Sequence, residues 1–353
     1  MKKQAPLISV CIPVFETERF LQQCLRSVIR QDFASFEVVI VSDASRGTDE
    51  NGRNAKKIVK AMQKEGNRWR KEKSLPSVDL RFIEHHENRG LVEVRRTLCY
   101  ESRGVYITQL DSDDELEAGA LSALHSAAEG EGNLPEQWFD IVHGTSTAGT
   151  FNSSGEFTPA QKNLYGEIFY GTLFGRDILD AWIMKSEVTS NTWGKLIKRD
   201  VFLRAYENIP YTECNLAEDA LLFFFISQFA SSYIGIKDKV YRYRINTGMT
   251  SARKINNLQS WKMICSSSSV FTVISEWIKE KNVSPIKITD EEIKRFRLMT
   301  RCYLENALNQ LHIAVIPELQ EKAHAMLCDY WGAGFVEKIA YSLTRYDSTK
   351  DPV

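Results

Sequence analysis

Three aspartates fall within four positions of the run "YITQLDSDDELEAGAL", residues 106–121: Asp111, Asp113 and Asp114. Like charges this close repel one another unless something compensates them. A divalent cation would do so and supply chemistry as well, because Mg2+ or Mn2+ takes hard oxygen ligands and joins one or two carboxylates to substrate phosphates. The alternative is an acidic strand-to-helix junction, with Asp113 or Asp114 capping a helix that begins near Glu115. A second acidic pair, Glu218 and Asp219 in "AEDALLFFF", opens an apolar helical run. It offers a general base, or merely the charge that helix N-termini favour, worth about 0.3–1 kcal/mol.

Such groups work only on a rigid scaffold, and the first 120 residues read as one. "LISVCIPVF" (7–15), "FEVVIVSD" (36–43), "DLRFIEH" (79–85) and "GVYITQLD" (104–111) are apolar, β-branched runs, the first two apolar on both faces as parallel strands are. Between them "RFLQQCLRSVIRQ" (19–31) and "LVEVRRTLCYES" (91–102) carry apolar residues at helical spacing. The alternation predicts a nucleotide-binding α/β half, with the aspartates at the carboxyl end of a strand, where open sheets bind ligands. The segment 52–77 is helical and then strongly basic, and reads as a solvated helix and loop rather than a polyanion site. From 131 the alternation stops, and "GTSTAGTFNSSGEFTP" (144–159) looks like strands joined by a hairpin. "ALLFFFISQFASSYIGI" (220–236) reads as a buried helix running into a strand, too short in its apolar part to span a membrane. Helical periodicity dominates from about 255.

Composition narrows the class without naming a function. Forty-five basic residues against 46 acidic ones give a net charge of −1, so no global field draws in nucleic acid, and none is expected as a partner. Seven scattered cysteines without a CxxC pair argue for reduced thiols, against a disulfide framework or a zinc site. The N-terminus lacks the pattern of a signal peptide, and the reading is cytoplasmic.

Three ordered segments carry a resemblance: "ISVCIPVFETERFLQQCLRSVIRQDFASFEVVIVSDAS", "ENRGLVEVRRTLCYESRGVYITQLDSDDELEAGAL" and "NLAEDALLFF". Together they resemble family 2 glycosyltransferases, an inverting group with the GT-A fold that builds bacterial polysaccharides. The likeness is strong over 7–125 and loose over 190–252. It implies an α/β fold of Rossmann-like, mixed but mainly parallel sheet flanked by helices, followed by a C-terminal α-helical region. The implied divisions are 1–130, the nucleotide-sugar half; 131–254, the acceptor half; and 255–353, the helical region.

The resemblance also implies roles. Pro13, Val14, Phe15 and Glu16 fall where the first strand meets the donor base, with Glu16 standing where the family usually has Asn. Asp43 matches the aspartate that hydrogen-bonds the base, although Ala44 replaces the usual Gly; the alternative is that Asp43 and Ser45 are turn formers. Asn88, Gly90 and Arg95 match a segment bordering the nucleotide, Arg95 by a guanidinium suited to phosphate, whereas Arg96 reads as a surface arginine. Asp111, Ser112 and Asp113 match the DxD triplet, Asp113 ligating Mn2+ or Mg2+ and Asp111 reaching the ribose or the metal through water. Asp219 matches the catalytic base, with Glu218 as the fallback. Arg244 and Ser251 match a closing loop near the diphosphate. Trp193 and Lys195 stand on the acceptor side, where Trp193 is equally well explained as core.

The implied activity is transfer of a sugar from a nucleoside diphosphate, UDP-linked, to a glycan or lipid-linked acceptor. A non-catalytic nucleotide-sugar or glycan-binding module of the same fold is the alternative, and a nucleotidyltransferase a third. The C-terminal helices are expected to pack on the catalytic domain or form a homo-oligomer contact. Their Trp261, Trp277, Trp331, Tyr341 and Tyr346 raise a competing expectation, peripheral contact at the inner face of a membrane.

Overall fold

The structure is a computed structural model that describes residues 5–130, 134–152, 155–160, 168–245, 247, 254–280 and 284–347. The chain divides into two compact units, 1–210 with 222–248, and 211–221 with 249–353.

The first unit opens with β1 (Ile8–Val14), α1 (Glu18–Ile29), β2 (Phe36–Ser42), α2 (Ala55–Glu72), β3 (Leu80–Glu84), α3 (Leu91–Glu101) and β4 (Tyr106–Gln109). The short β5 (Glu115–Leu116) and α4 (Ala120–Glu129) follow, then β6 (Ile141–Phe151), β7 (Phe157–Pro159), β8 (Gly171–Phe174), α5 (Arg176–Ile183), β9 (Lys195–Lys198) and α6 (Arg199–Glu207). Helix α7 (Glu218–Phe229) starts in the second unit's 211–221 segment and leads into β10 (Ser232–Arg244). The ten strands among the described residues form one sheet of order β3-β2-β1-β4-β9-β6-β10-β5, with β7 on β6 and β8 on β10. β3 to β4 pair in parallel, and β9 enters antiparallel between β4 and β6. The expected GT-A-like mixed sheet flanked by helices is therefore present, and it runs without a break through residue 130.

Every side chain of β1 and β2 is buried, as a parallel strand covered on both faces requires. Helix α1 lays Leu21, Leu25 and Val28, spaced four and three residues apart, into the core shared with Val10, Ile12 and Ile40. Proline is poorly tolerated in a central strand because it lacks an N–H. Pro13 is accommodated because β4 pairs with β1 only as far as Cys11, leaving Pro13 a ladder neighbour on the β2 side alone.

The basic segment after β2 is one long helix, α2, and one of its cations is no surface charge. Arg70 is fully buried and donates to the carbonyls of Ile29, Gln31, Phe33 and Pro76, tying α2 to the turn after α1. Arg96 also departs from the surface reading, since it pairs with Glu93 and donates to the carbonyls of Tyr206, Ile209 and Pro210.

His143 in β6 gives the first unit a pH dependence. It is buried with Nδ1 3.0 Å from the Tyr233 hydroxyl. Burial first, then the charge of Lys195, holds its pKa well below the usual 6.5. The folded chain thus keeps it neutral while the unfolded chain protonates it. Its stabilising contribution is complete above the unfolded value and is lost as pH falls below about 6.5, at up to about 1.4 kcal/mol per pH unit. Urea unfolding between pH 7.5 and 5 should show this slope in the native chain and a shallower one in His143→Gln. Equal slopes would refute the assignment.

The second unit is helical: α8 (Leu258–Cys265), α9 (Ser267–Lys279), α10 (Asp290–Ile313), α11 (Gln320–Trp331) and α12 (Ala333–Asp347). Thr289 and Glu292 close a reciprocal capping box at the start of α10. Trp261 is fully buried and donates Nε1–H to the Ala323 carbonyl at 2.7 Å. Trp277 and Trp331 are buried as well, so these three build the unit's core rather than the aromatic membrane face that their types raised. Tyr341 is exposed, and the side chain of Tyr346 lies outside those described. Among the described residues no helix is long and apolar enough to cross a membrane.

Candidate functional site

The sheet's winding reverses between β1 and β4, a switch point of the kind at which open α/β sheets bind ligands. Loops 15–17, 43–54, 85–90 and 110–114 leave the carboxyl ends of β1, β2, β3 and β4 there. Of the four residues expected at the base, Pro13 and Val14 are closed off inside β1, while Phe15 presents its ring, 40% exposed, and Glu16 is exposed as well. Glu16, at φ 57°, turns the chain so that its N–H donates to the Ser45 hydroxyl and its carboxylate accepts from Arg46 N, at 2.8 and 3.0 Å. Glu18 is buried beneath this lock, and neither of its carboxylate oxygens has a hydrogen-bond partner among the described residues. Gly47 permits that closeness, since a Cβ there would stand 2.0 Å from the Glu18 Oε2.

Asp43 is buried and anchors the 85–90 loop. Its carboxylate accepts from His85 Nδ1 at 2.7 Å, from Arg89 N at 3.0 Å and from Gly90 N at 2.9 Å. Asn88 donates to the Asp43 carbonyl at 3.4 Å, and Gly90 takes φ 83° at the start of α3, a conformation that glycine adopts without strain. Asp43 is thus more than a turn former. His85, whose Nε2 is 3.0 Å from the Thr97 hydroxyl, was not picked out from the sequence. Its place at the end of β3, three residues before Asn88, was the available sign.

The three aspartates prove unequal. No helix starts at Glu115, which lies in β5; the next helix, α4, follows Gly119, so the capping explanation of the cluster fails. Asp114 is buried and clamped to β10: the Tyr241 hydroxyl donates to one oxygen at 2.8 Å and Arg244 N to the other at 2.7 Å. Burial, then Asp113 and Asp111, drives its carboxyl well above the usual range. Arg244 Nε also holds the Asp113 carbonyl at 2.8 Å, and its Nη2 bonds Gln23. Arg244 therefore braces the loop from behind, its guanidinium 3.9 Å from the centre of the Phe151 ring.

Asp111 and Asp113 are only partly buried. Arg95, 2% exposed, donates to Asp111 at 3.2 Å and to the Thr192 hydroxyl, which in turn donates to Gln109. Its charge is directed at Asp111 rather than presented to a phosphate. Asp113 Oδ2 accepts from the Thr247 hydroxyl at 2.8 Å, and no described residue hydrogen-bonds its Oδ1. Thr247 and Tyr241 were also missed in the sequence, although both lie in the "YRYRINTGMTS" run that singled out Arg244. Ser112 is buried, its hydroxyl 2.6 Å from that of Thr17 at the start of α1. Ser251 lies outside the described residues.

This donor set fits a hard divalent cation held in part by substrate. Two carboxylates one residue apart offer oxygen ligands, and among the described residues no group of three or more His, Cys, Asp or Glu side chains forms a closed cage. A cation held by Asp113 and Asp111 would complete its shell with donor oxygens and water.

The two acceptor-side expectations do not survive. Trp193 is buried and stacks on Tyr241, centroids 4.8 Å apart, with Tyr243 at 5.4 Å. Lys195 is fully buried, and its ammonium donates to the Thr189 carbonyl at 3.0 Å and to the Asn191 carbonyl. Both hold the core behind β10, Lys195 with no exposed surface and Trp193 with 6%. Glu218 and Asp219 stand in the first turn of α7, after Ala217 at φ 67°. Within the second unit, burial first, then these two carboxylates, raises the Tyr303 phenol to about 12.

Residues 9–134 match the family model for glycosyl transferase family 2. The match covers about a third of the chain. The chain is 28% identical over 247 residues to the glycosyltransferase GlyA of Streptococcus pneumoniae serotype 4, an alignment covering 69% of this chain and 31% of that protein. It thus spans about a third of that relative's length. Among solved structures it resembles Staphylococcus aureus TarS 1–349 in complex with UDP, with a TM-score of 0.59 at 16% identity over 94% of this chain and 82% of that one. The mannosyltransferase PcManGT of Pyrobaculum calidifontis, in complex with GDP-Man and Mn2+, gives a TM-score of 0.50 at 14% identity over 96% and 85%. At such identities the likeness speaks for fold alone, and that fold is GT-A.

Proposed function

We propose that the chain is an inverting, metal-assisted glycosyltransferase that moves a sugar from a nucleoside diphosphate donor, UDP-linked, to a glycan or lipid-linked acceptor in polysaccharide biosynthesis. The observation that carries this reading is the division of labour at the switch point: Asp114 clamped and buried, Asp111 and Asp113 partly exposed. The UDP complex of TarS and the GDP-Man and Mn2+ complex of PcManGT, in proteins of the same fold, support it.

Bound Mg2+ or Mn2+ would supply electrostatic stabilisation to the departing diphosphate. Asp113 is the proposed direct ligand, with Asp111 oriented by Arg95 beside it. Phe15 offers a ring for the base, and Asp43 shapes the neighbouring loop. As the acceptor oxygen bonds to the anomeric carbon, Asp219 takes its proton, and the electron pair of the breaking bond leaves with the diphosphate. Attack opposite the leaving group inverts the anomeric centre.

Thermal-shift titration with UDP-, GDP-, CDP- and dTDP-sugars, with and without Mn2+, tests the reading. A UDP-sugar should raise Tm by several degrees with the metal and by little without it, since a ligand at 100 times its Kd adds about 2.7 kcal/mol. If no nucleotide raises Tm even with Mn2+, the donor site is wrongly assigned.

A further inference from the structure

Helix α2 carries a surface that the proposed reaction does not use. Counting about 100° per residue, Lys56, Lys57, Lys60, Lys64, Arg68 and Lys71 fall within a single arc of about 120°, some 22 Å long. All six are exposed, and none forms an ion pair among the described residues. The only other residue in the arc is Asn67. The acids of the helix lie beyond its edge: Glu65 is paired with Arg26 of α1 at 3.3 Å, and Glu72 is the last residue. The opposite side of α2, with Ile58, Val59 and Met62, is buried, so the orientation of the stripe is fixed by the core. The whole chain carries −1, and subtracting these six charges leaves −7 on everything else. A negative surface would therefore attract this face and repel the remainder.

We propose that this face of α2 docks the protein on a bilayer rich in anionic phospholipid. Charge complementarity is the argument, and the form of the stripe selects the bilayer over a polymer. It is straight and convex, built almost entirely of lysines, which act as mobile point charges on flexible stems rather than as forked phosphate readers. No aromatic side chain lies in the arc on which a nucleic-acid base could stack. Clustered cations on a helix face are a recognised route to anionic lipid, each worth about fivefold in partitioning near the surface. The inference is independent of the donor-site reading, because it concerns adsorption and not turnover.

Cosedimentation of the full chain with vesicles tests it, using phosphatidylglycerol mixed with phosphatidylcholine against phosphatidylcholine alone. The native chain should pellet with the anionic vesicles only, and less so as salt rises. The variant Lys56→Gln, Lys60→Gln, Lys64→Gln and Lys71→Gln, whose changes are all exposed and keep helix-favouring side chains, should lose at least about 100-fold in partitioning. A control carrying Lys279→Gln, Lys294→Gln, Lys322→Gln and Lys338→Gln should bind like the native chain. Absent binding, equal binding by the α2 variant, or equal loss in the control overturns the proposal. Retention on soluble heparin without vesicle binding also overturns it, by assigning the stripe to a polymer.

Discussion

Asp113→Asn is expected to lower turnover by about 10³-fold, several kcal/mol of barrier, while leaving Tm within about 2 °C of the native value. The asymmetry follows from what each oxygen does. Asn keeps an acceptor for the Thr247 hydroxyl, and the loop itself is held through Asp114 and the Asp113 carbonyl, neither of which the change touches. What is lost is the negative charge of the carboxylate, including the oxygen that Thr247 does not bond. Steady-state assays over a Mn2+ titration check this: activity should need far more metal in the variant, or fail to saturate. Near-native turnover at low Mn2+ would remove Asp113 from the proposed chemistry.

Asp219→Asn is the second large effect. A positioned base contributes about 10² to 10⁴ in rate, so the acceptor-dependent rate should fall within that range. The Tm shift produced by a nucleotide sugar with Mn2+ should remain, because the proposed role lies in taking the acceptor proton and not in holding the donor. A helix-terminal charge alone would be worth about 0.3–1 kcal/mol of stability and nothing in rate. Glu218→Gln separates the two neighbours: it should keep most of the activity if Asp219 is the base. Unchanged turnover in Asp219→Asn would end that assignment.

How far the sequence carried the reading depended on whether the deciding contacts were local. β1 to β4 and the helices between them were legible because parallel strands buried on both faces spell out unbroken apolar runs, and α1 and α3 repeat at helical spacing. The insertion of β9 between β4 and β6 was not legible, since antiparallel pairing across some 90 residues leaves no local trace. The same limit governed individual side chains. Three identical carboxyls in "DSDD" are told apart by Arg95 at Asp111 and by Tyr241, Arg244 and Thr247 at Asp113 and Asp114, the last three more than 120 residues away. Trp193 and Lys195 carry types that suit a sugar site, and only their stacking on Tyr241 and bonding to the 189–191 backbone reveal them as interior. Arg70 and the stripe on α2 make the opposite pair: one basic segment, within which burial separates a structural cation from six surface ones.

The clamp on Asp114 also sets a clock on synthesis. Its partners Tyr241 and Arg244 lie 127 and 130 residues further along the chain. A ribosome adding about 5–20 residues per second completes residues 9–134 on the order of ten seconds before β10 emerges. Until then the three aspartates hang from the end of β4 without their brace, hydrated and mutually repelling. The aspartate loop is therefore one of the last features of the first unit to set, and an unfinished chain, however well its first four strands have paired, lacks the braced form of the proposed donor site.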